Sequence, residues 1–304
     1  MTQTAQIARI RIPMKKLKIA LPKGSLEEST FRLFAKAGFK ISSSSRSFFP
    51  TVDDEELEVV LFRPQEMPRY IEDGVVDCGI TGHDWICENK AKLVELCELQ
   101  YSKRTKNPIR WVLAVTEKSK IRTVKDLEGK KIATELVGAT KEYLKKHKVN
   151  AEVEFSWGAT EVKPSQNLAD AIVDATETGS SLRANNLRIV DTLLTSVPKF
   201  VCNKESYKDS WKLRKMENVV LMLKGAILAE DKVGLKMNVQ DINLKAILEI
   251  LPAMKKPTLN NLSQDGWYDV DTIIDESVAR EIIPALKEAG ASGIIEYPLN
   301  KVIP

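Results

Sequence analysis

No stretch of this chain approaches the roughly 18 to 20 consecutive apolar residues that a membrane-spanning helix needs. With 43% hydrophobic and 29% charged residues, the composition is that of a soluble globular protein, and no membrane partner is expected. Histidine and cysteine are both scarce. There are two histidines, His83 and His147, and four cysteines, Cys78, Cys87, Cys97 and Cys202. No CxxC pair and no His/Cys cluster with zinc-like spacing occurs, which excludes a disulfide framework and a protein-caged transition metal. The glycine fingerprints GxGxxG and GxxxxGK[ST] are missing, and with them the dinucleotide fold and the P-loop. Charge of one sign is also in short supply. The net charge is +4, and no basic stripe carries interleaved aromatics, so a nucleic-acid partner is not expected, and so mild an excess fits small anionic ligands as well as it fits nothing at all. The opening "MTQTAQIARIRIPMKKLKIALPKG" has no unbroken apolar core and no small-residue cleavage site. It reads as a short lead before Met14 on a cytoplasmic protein.

What is present is alternation. The 304 residues are long for one core, so two or three domains are expected. "LKIALP", "ELEVVLFRP", "IRWVLAVT", "KKIATE" and "AEVEFSW" read as strands, with Trp111 and Trp157 as core aromatics on them. Between them lie helical stretches such as "SLEESTFRLFAKAGF", where Ser25 and Glu28 stand at capping-box spacing, and "GATKEYLKKHK". The pattern predicts an α/β protein with largely parallel sheets, whose ligands gather at the carboxyl ends of strands. After about residue 222 the order becomes β-α-β-β-α-β, the ferredoxin-like pattern, in a self-contained unit.

One loop stands out. In "NLADAIVDATETGSSLRANNL" the buried strand "ADAIVDA" leads through Asp174 into Thr178, Gly179, Ser180 and Ser181 and then a helix starting near Leu182. Such a turn offers unpaired N–H groups and hydroxyls to phosphate oxygens, Gly179 permits close approach, and Asp174 suits a ribose diol. On local pattern alone a plain strand–turn–helix with Ser181 as N-cap is the better reading.

The stretch "EVKPSQNLADAIVDATETGSSL" resembles the signature of the ATP phosphoribosyltransferases. The matching positions are Glu161, Ala169, Asp170, Ala171, Ile172, Asp174, Thr178, Gly179 and Leu182. Asn167, Ala175 and Ser181 depart from it, although Ser181 keeps a hydroxyl. "LKIALPKGSL" is similar to the family's opening strand and Lys-Gly turn, with Ser25 where Arg is frequent. "LFRPQEMPRYIEDGVVDCGITGHD" is similar to its Arg-Pro, helix and Gly-Ile segment. The tail resembles the regulatory domain of the long form.

The resemblance implies two lobes like those of periplasmic binding proteins, with the chain crossing twice between them. Residues 1–105 and 190–221 would form lobe I, 106–189 lobe II, and 222–304 a ferredoxin-like (ACT-like) regulatory domain. It implies ATP and phosphoribosyl pyrophosphate (PRPP) as substrates, Mg²⁺ as cofactor without a dedicated protein cage, and L-histidine as inhibitor. AMP is a further expected ligand, and a hexamer built of dimers the expected assembly. The residues it assigns are Lys23 and Arg63 for catalysis and phosphate contact, and Asp174, Thr178, Gly179, Ser180 and Ser181 for PRPP. Lys23, Arg63, Asp84 and Glu161 would serve ATP, and Asn238, Thr258, Ala291 and Ser292 the histidine effector, with Asn238 standing where an acid is common. From local sequence alone, Lys23 and Glu161 also read as solvated loop residues, Arg63 as a surface residue before a Pro-led helix, and Asp84 as a first-turn acid complementing a helix dipole. His83 carries little catalytic weight. A two-lobed solute-binding module without chemistry is the alternative.

Overall fold

The computed structural model describes residues 14–44, 47–101, 107–252 and 256–304. They form two compact units, one of the described residues up to Ala35 with Phe39–Val220, the other of Lys36–Gly38 with Leu221–Pro304. The lead before Met14 and the expected 105/106 boundary fall outside the described residues. Among the described residues no helix is long and apolar enough to cross a membrane.

The first unit opens with β1 (Leu17–Pro22), α1 (Glu27–Ala37), the short paired strands β2 (Ile41–Ser42) and β3 (Thr51–Val52), and β4 (Leu57–Phe62). There follow α2 (Met67–Glu72), β5 (Cys78–Gly82), α3 (His83–Asn89) and β6 (Val94–Glu98). The chain then supplies β7 (Ile109–Thr116), β8 (Lys131–Thr134), α4 (Val137–His147), β9 (Glu152–Phe155), β10 (Ala171–Thr176), α5 (Ser180–Ala184) and β11 (Leu187–Ser196). It returns as β12 (Pro198–Cys202), followed by α6 (Lys204–Lys208) and α7 (Ser210–Leu228).

These strands make two five-stranded sheets, β4-β1-β5-β12-β6 and β11-β7-β10-β8-β9. The chain therefore passes from the first sheet to the second after β6 and back after β11, which gives the two-lobed, periplasmic-binding-protein-like arrangement. β1 is covered on both faces, with Leu17, Ile19, Ala20 and Leu21 fully buried, as its near-continuous apolar run requires. The second sheet is closed by Trp111, Leu113, Val115, Ile132, Leu144 and Val173.

Four expectations change here. The sheets are only half parallel: β4-β1-β5 and β10-β8-β9 are parallel, but β12 runs against β5 and β6, and β7 against β10 and β11. Strands laid down as the chain crosses between lobes run against their neighbours, and strand–helix alternation does not record a crossing. β11 stays in the second sheet through Ser196, beyond the 189/190 boundary. The start of α1 is shifted: Glu27, not Glu28, reaches back, accepting the Gly24 N–H at 3.2 Å while its other oxygen pairs with Lys23 Nζ at 2.8 Å. Finally, Trp157 follows β9 rather than lying on it and is 85% exposed, whereas Trp111 is buried as expected.

The second unit contains β13 (Lys232–Gln240), α8 (Asp241–Ile250), β14 (Thr258–Asn261), β15 (Trp267–Asp275), α9 (Glu276–Glu288) and β16 (Ser292–Pro298). Its sheet order, β14-β15-β13-β16, is wholly antiparallel and is that of the ferredoxin-like fold. Val233, Leu235, Met237 and Val239 pack with Ile247, Val270, Ile274, Ala279 and Leu286 under the helices. Alternate residues of β13 consequently face away from the helices.

Candidate functional site

β1 and β4 are parallel and in register from Leu17↔Leu57 to Pro22↔Phe62, so the two residues that follow them emerge side by side. Lys23 donates its N–H to Phe62 O at 2.7 Å. A Cβ on Gly24 would stand 3.0 Å from Arg63 Nη1, which places the guanidinium against the Lys-Gly turn. The two cations expected on sequence grounds thus share one strand-end rim. They differ in state: Lys23 is held by Glu27 at 2.8 Å, while Arg63 is exposed and makes no ion pair among the described residues.

The second rim carries the hydroxyl turn. β10 runs on to Thr176, so Asp174 lies within the strand rather than at its last residue. The Thr176 hydroxyl accepts the Gly179 N–H at 2.8 Å and closes the turn, and Gly179 has φ +74°. The helix begins at Ser180 with Gly179 as N-cap and no side-chain cap bond, two residues earlier than expected and without the Ser181 cap. At five residues α5 has little macrodipole to offer, and the anion-facing chemistry rests on the hydroxyls and turn N–H groups. Thr178 and Ser180 are joined Oγ1 to Oγ at 3.0 Å, and both are exposed, as is Ser181. Sequence reasoning passed over Arg183, whose Nη1 donates to Thr178 O at 3.1 Å and puts a cation on the turn. Its spacing of four from Gly179, one helical turn, was the available signal.

Asp174 is half-buried, and its carboxyl is pushed up to about 6. Loss of water is the main cause, and the neighbouring charges of Glu161 and Glu135 add to it, against one hydrogen bond from the Ala175 N–H that lowers it. Glu161, expected on the ATP side, is thus near enough to Asp174 to act on its charge, and Glu135, directly after β8, joins them unforeseen. Burial raises the Glu135 carboxyl as well, opposed by a hydrogen bond with Gln65 of the first lobe. The position after a parallel strand is the signal that marks Glu135. Among the described residues no group of three or more His, Cys, Asp or Glu is arranged to hold a metal ion by itself.

Where the two lobes meet is a cavity of about 240 Å³. Ser25 and Pro64 line it from the Lys23 and Arg63 loops, Glu177 from the hydroxyl turn, Asp84 and Trp85 from α3, and Ser196 from the end of β11. Of the expected site residues, only Asp84 lines this cavity directly. It is 5% exposed and already engaged, accepting Trp111 Nε1–H at 2.7 Å and the Trp85 N–H at 2.9 Å, while its own N–H donates to Ser196 Oγ at 3.1 Å. A Cβ on Gly82 would come within 2.1 Å of Asp84 Oδ1, so the turn into α3 tolerates no side chain there. Asp84 is a bolt between lobes first of all, which fits the first-turn reading more than that of a free ligand group. Glu88, a turn further on, accepts the Gly138 and Ala139 N–H groups at 2.9 Å each and caps α4 from across the junction. His83 lies beside Cys87, with Nε2 3.5 Å from Sγ.

In the second unit Asn238 and Ser292 are neighbours on β13 and β16, and the Ser292 hydroxyl donates to Asn238 O at 3.2 Å. Thr258 stands two strands away, opposite Asp271. Ala291 is 2% exposed and packs into the core beneath the helices, so its side chain is turned away from the face that carries Asn238.

The family model described as ATP phosphoribosyltransferase matches residues 63–225, and that of the HisG C-terminal domain matches residues 229–301. An ATP phosphoribosyltransferase of Thermodesulfovibrio yellowstonii is 56% identical over 95% of this chain and 99% of its own length. One of Solibacter usitatus is 58% identical over 94% and 99%. Among solved structures, the ATP phosphoribosyl transferase (HisG:HisZ) complex from Thermotoga maritima superposes with TM-score 0.59 at 28% identity, covering 68% of this chain and 98% of that one. The two-lobed unit with its hydroxyl turn and the ferredoxin-like tail are thus matched together and nearly end to end, and the chain belongs to the ATP phosphoribosyltransferase family.

Proposed function

We propose that the protein transfers the phosphoribosyl group of PRPP to N1 of the adenine of ATP, giving N1-(5-phosphoribosyl)-ATP and pyrophosphate, as the first step of L-histidine biosynthesis. The observation that carries this reading is a half-buried acid, Asp174, held on the strand that delivers the Thr178–Ser181 hydroxyls, with Lys23 and Arg63 on the rim of the other lobe. The turn seats the 5-phosphate, with Arg183 adding a cation, and Asp174 accepts the ribose hydroxyls. Lys23 and Arg63 take phosphate oxygens, Lys23 after exchanging Glu27 for the substrate. The C1–O bond to pyrophosphate breaks as the N1 lone pair forms the C1–N1 bond, with inversion. Positive charge developing at the ribose is stabilised by the carboxylates of Asp174, Glu135 and Glu161, and alignment of the two substrates supplies the rest, without a covalent nucleophile.

Among the described residues these carboxylates form no metal site of their own, so a Mg²⁺ ion would be carried mainly by substrate phosphates and water. When bound, the ion neutralises the leaving pyrophosphate. Trp157, exposed beside Phe155 at a ring-centroid distance of 5.7 Å, offers the adenine a face to stack on at the same rim. Base stacking on an aromatic contributes about 1–3 kcal/mol. Trp157→Ala is therefore expected to raise the KM for ATP at least about fivefold and leave that for PRPP in place, and steady-state kinetics with each substrate varied checks it. The regulatory reading places L-histidine, and the negative control it exerts, on the ferredoxin-like unit. AMP binding at the ATP site and assembly into a hexamer complete the proposal. Incubation with ATP, PRPP and Mg²⁺ tests the reaction: pyrophosphate release requiring both substrates is expected, whereas a solute-binding module releases none.

A further inference from the structure

Three neighbouring strands of the second lobe end in one row. β8 lies between β10 and β9 and is parallel to both. Its last residue, Thr134, pairs with Val173 on one side and Phe155 on the other. The next residue, Glu135, therefore falls beside Asp174 on one flank and Ser156 on the other, with Trp157 one residue further on. Neighbouring strands run about 4.8 Å apart, so Glu135 stands between the strand of the ribose acid and the strand that leads to Trp157. The backbone is fixed there, because the Leu136 N–H donates to Thr134 Oγ1 at 3.0 Å. Ser156 is fully buried and its hydroxyl is taken by Thr160 Oγ1 at 2.8 Å, which leaves Glu135 as the open polar group in the middle of the row. Glu135 is half-buried, and no lysine or arginine offsets its burial; the Gln65 side chain is its donor. Gln65 is itself anchored, its backbone O accepting Asn89 Nδ2–H of α3 at 2.9 Å. A carboxylate has about four acceptor positions, and one amide leaves most of them open toward the cleft.

We infer that Glu135 is a catalytic residue that recognises the 6-amino group of the adenine, accepting a hydrogen bond from N6–H that strengthens as N1 attacks. This rests on the reading of the protein as a transferase that joins ribose C1 to adenine N1. With the ribose hydroxyls on Asp174 and the adenine on Trp157, the new bond forms over the strand between them. The amino group sits on the ring carbon next to N1, and so it comes to the same place. As the N1 lone pair enters the C1–N1 bond, the C1–O electron pair leaves with pyrophosphate. The adenine then carries a positive charge shared between N1 and N6, and the N6 protons become stronger donors. A carboxylate that accepts one of them holds the transition state more tightly than it holds ATP, which raises kcat instead of only lowering KM. Gln65 acts through Glu135 as a positioning residue, its amide fixing the carboxylate from the opposite lobe. The contact also selects the base, since a 6-oxo purine turns an acceptor toward the carboxylate and is repelled.

The test compares ATP with purine riboside 5′-triphosphate, which keeps N1 and lacks the 6-amino group. Pyrophosphate release by the full-length protein with PRPP and Mg²⁺ is followed for wild type and Glu135→Gln. The substitution keeps the side-chain shape and removes a charge from a half-buried position, so the fold stands. Loss of a carboxylate near the ribose lowers kcat with both nucleotides, and the lost contact to the amino group lowers it a further fivefold or more, at about the strength of a charged hydrogen bond, for ATP alone. The KM for ATP should change less than about threefold, because the amide oxygen of Gln still accepts from N6–H. A second variant reads the contact without turnover. Titrated in the absence of PRPP, Glu135→Ala should bind ATP at least about fivefold more weakly than wild type and the analogue within about twofold. Equal losses for the two nucleotides, in rate or in affinity, overturn the contact with the amino group while the transferase reading stands. So does a Glu135→Gln enzyme with wild-type kcat for ATP. Failure of the wild type to release pyrophosphate from ATP and PRPP overturns both readings.

Discussion

Asp174→Asn is expected to yield a protein that is more stable at pH 7.5 and nearly inactive. Burial and the acids Glu161 and Glu135 raise the Asp174 carboxyl from 3.8 to about 6 in the folded chain. Between those two values the folded state binds more protons than the unfolded state, so the stability of the wild type falls as pH rises through this window. The loss is complete above about pH 6 and amounts to about 3 kcal/mol at roughly 1.4 kcal/mol per pH unit. Asparagine keeps the shape and cannot ionise, so it removes that cost and relieves Glu135 as well. Thermal or urea denaturation should therefore show the variant ahead by several degrees at pH 7.5, and the gap should close below about pH 4. The catalytic effect has the opposite sign. Hydrogen bonds to a charged acceptor contribute about 1.5–3 kcal/mol each, so losing the carboxylate beneath the ribose diol should lower kcat/KM at least about 100-fold. For the same reason wild-type activity should decline on the acid side with a midpoint near pH 6. A variant no more stable than wild type at pH 7.5 would remove the claim that this acid is held ionised against its surroundings.

The same residue shows what sequence could and could not reveal. The family resemblance, more than local pattern, singled out Asp174, the hydroxyls of 178 to 181, Lys23 and Arg63, and the parallel register of β1 and β4 sets the last two side by side. The ferredoxin-like tail was equally legible, since its β-α-β-β-α-β order is contiguous in the chain. The two crossings followed from the resemblance, but the antiparallel pairings they create did not: β12 and β7 run against neighbours that lie far away in sequence, and no local pattern encodes that. Asp84 illustrates the consequence. Its first-turn position is local and was readable, but its bond to Trp111, 27 residues away, exists only through the crossing. Trp157 erred in the other direction, for hydrophobicity alone assigned it to the core while the strand ended two residues before it. Glu135 and Arg183 were passed over because each gains its place from a neighbour on another strand or one helical turn away.

Gly179→Glu should abolish PRPP binding in a protein that still folds. The position has φ +74°, which a side chain adopts at a cost of about 1–2 kcal/mol. The added Cβ would stand 2.9 Å from Arg183 Nη1, the far end of a flexible side chain that can move, and 3.7 Å from Ile189 Cδ1, an ordinary contact. The closing bond from the Gly179 N–H to the Thr176 hydroxyl involves backbone and survives. The fold should therefore lose little, with an unchanged circular dichroism spectrum and a modestly lower Tm. The ligand loses far more. The new carboxylate occupies the place proposed for the 5-phosphate and draws the Arg183 guanidinium to itself. Two like unit charges about 4 Å apart repel by about 4 kcal/mol at the effective dielectric of a protein surface, close to a 1000-fold loss of affinity. Gly179→Ala carries the same backbone strain without the charge and should weaken PRPP by less than about tenfold. Titration of both variants with PRPP separates strain from repulsion, and affinities matching wild type in both would place the phosphate elsewhere.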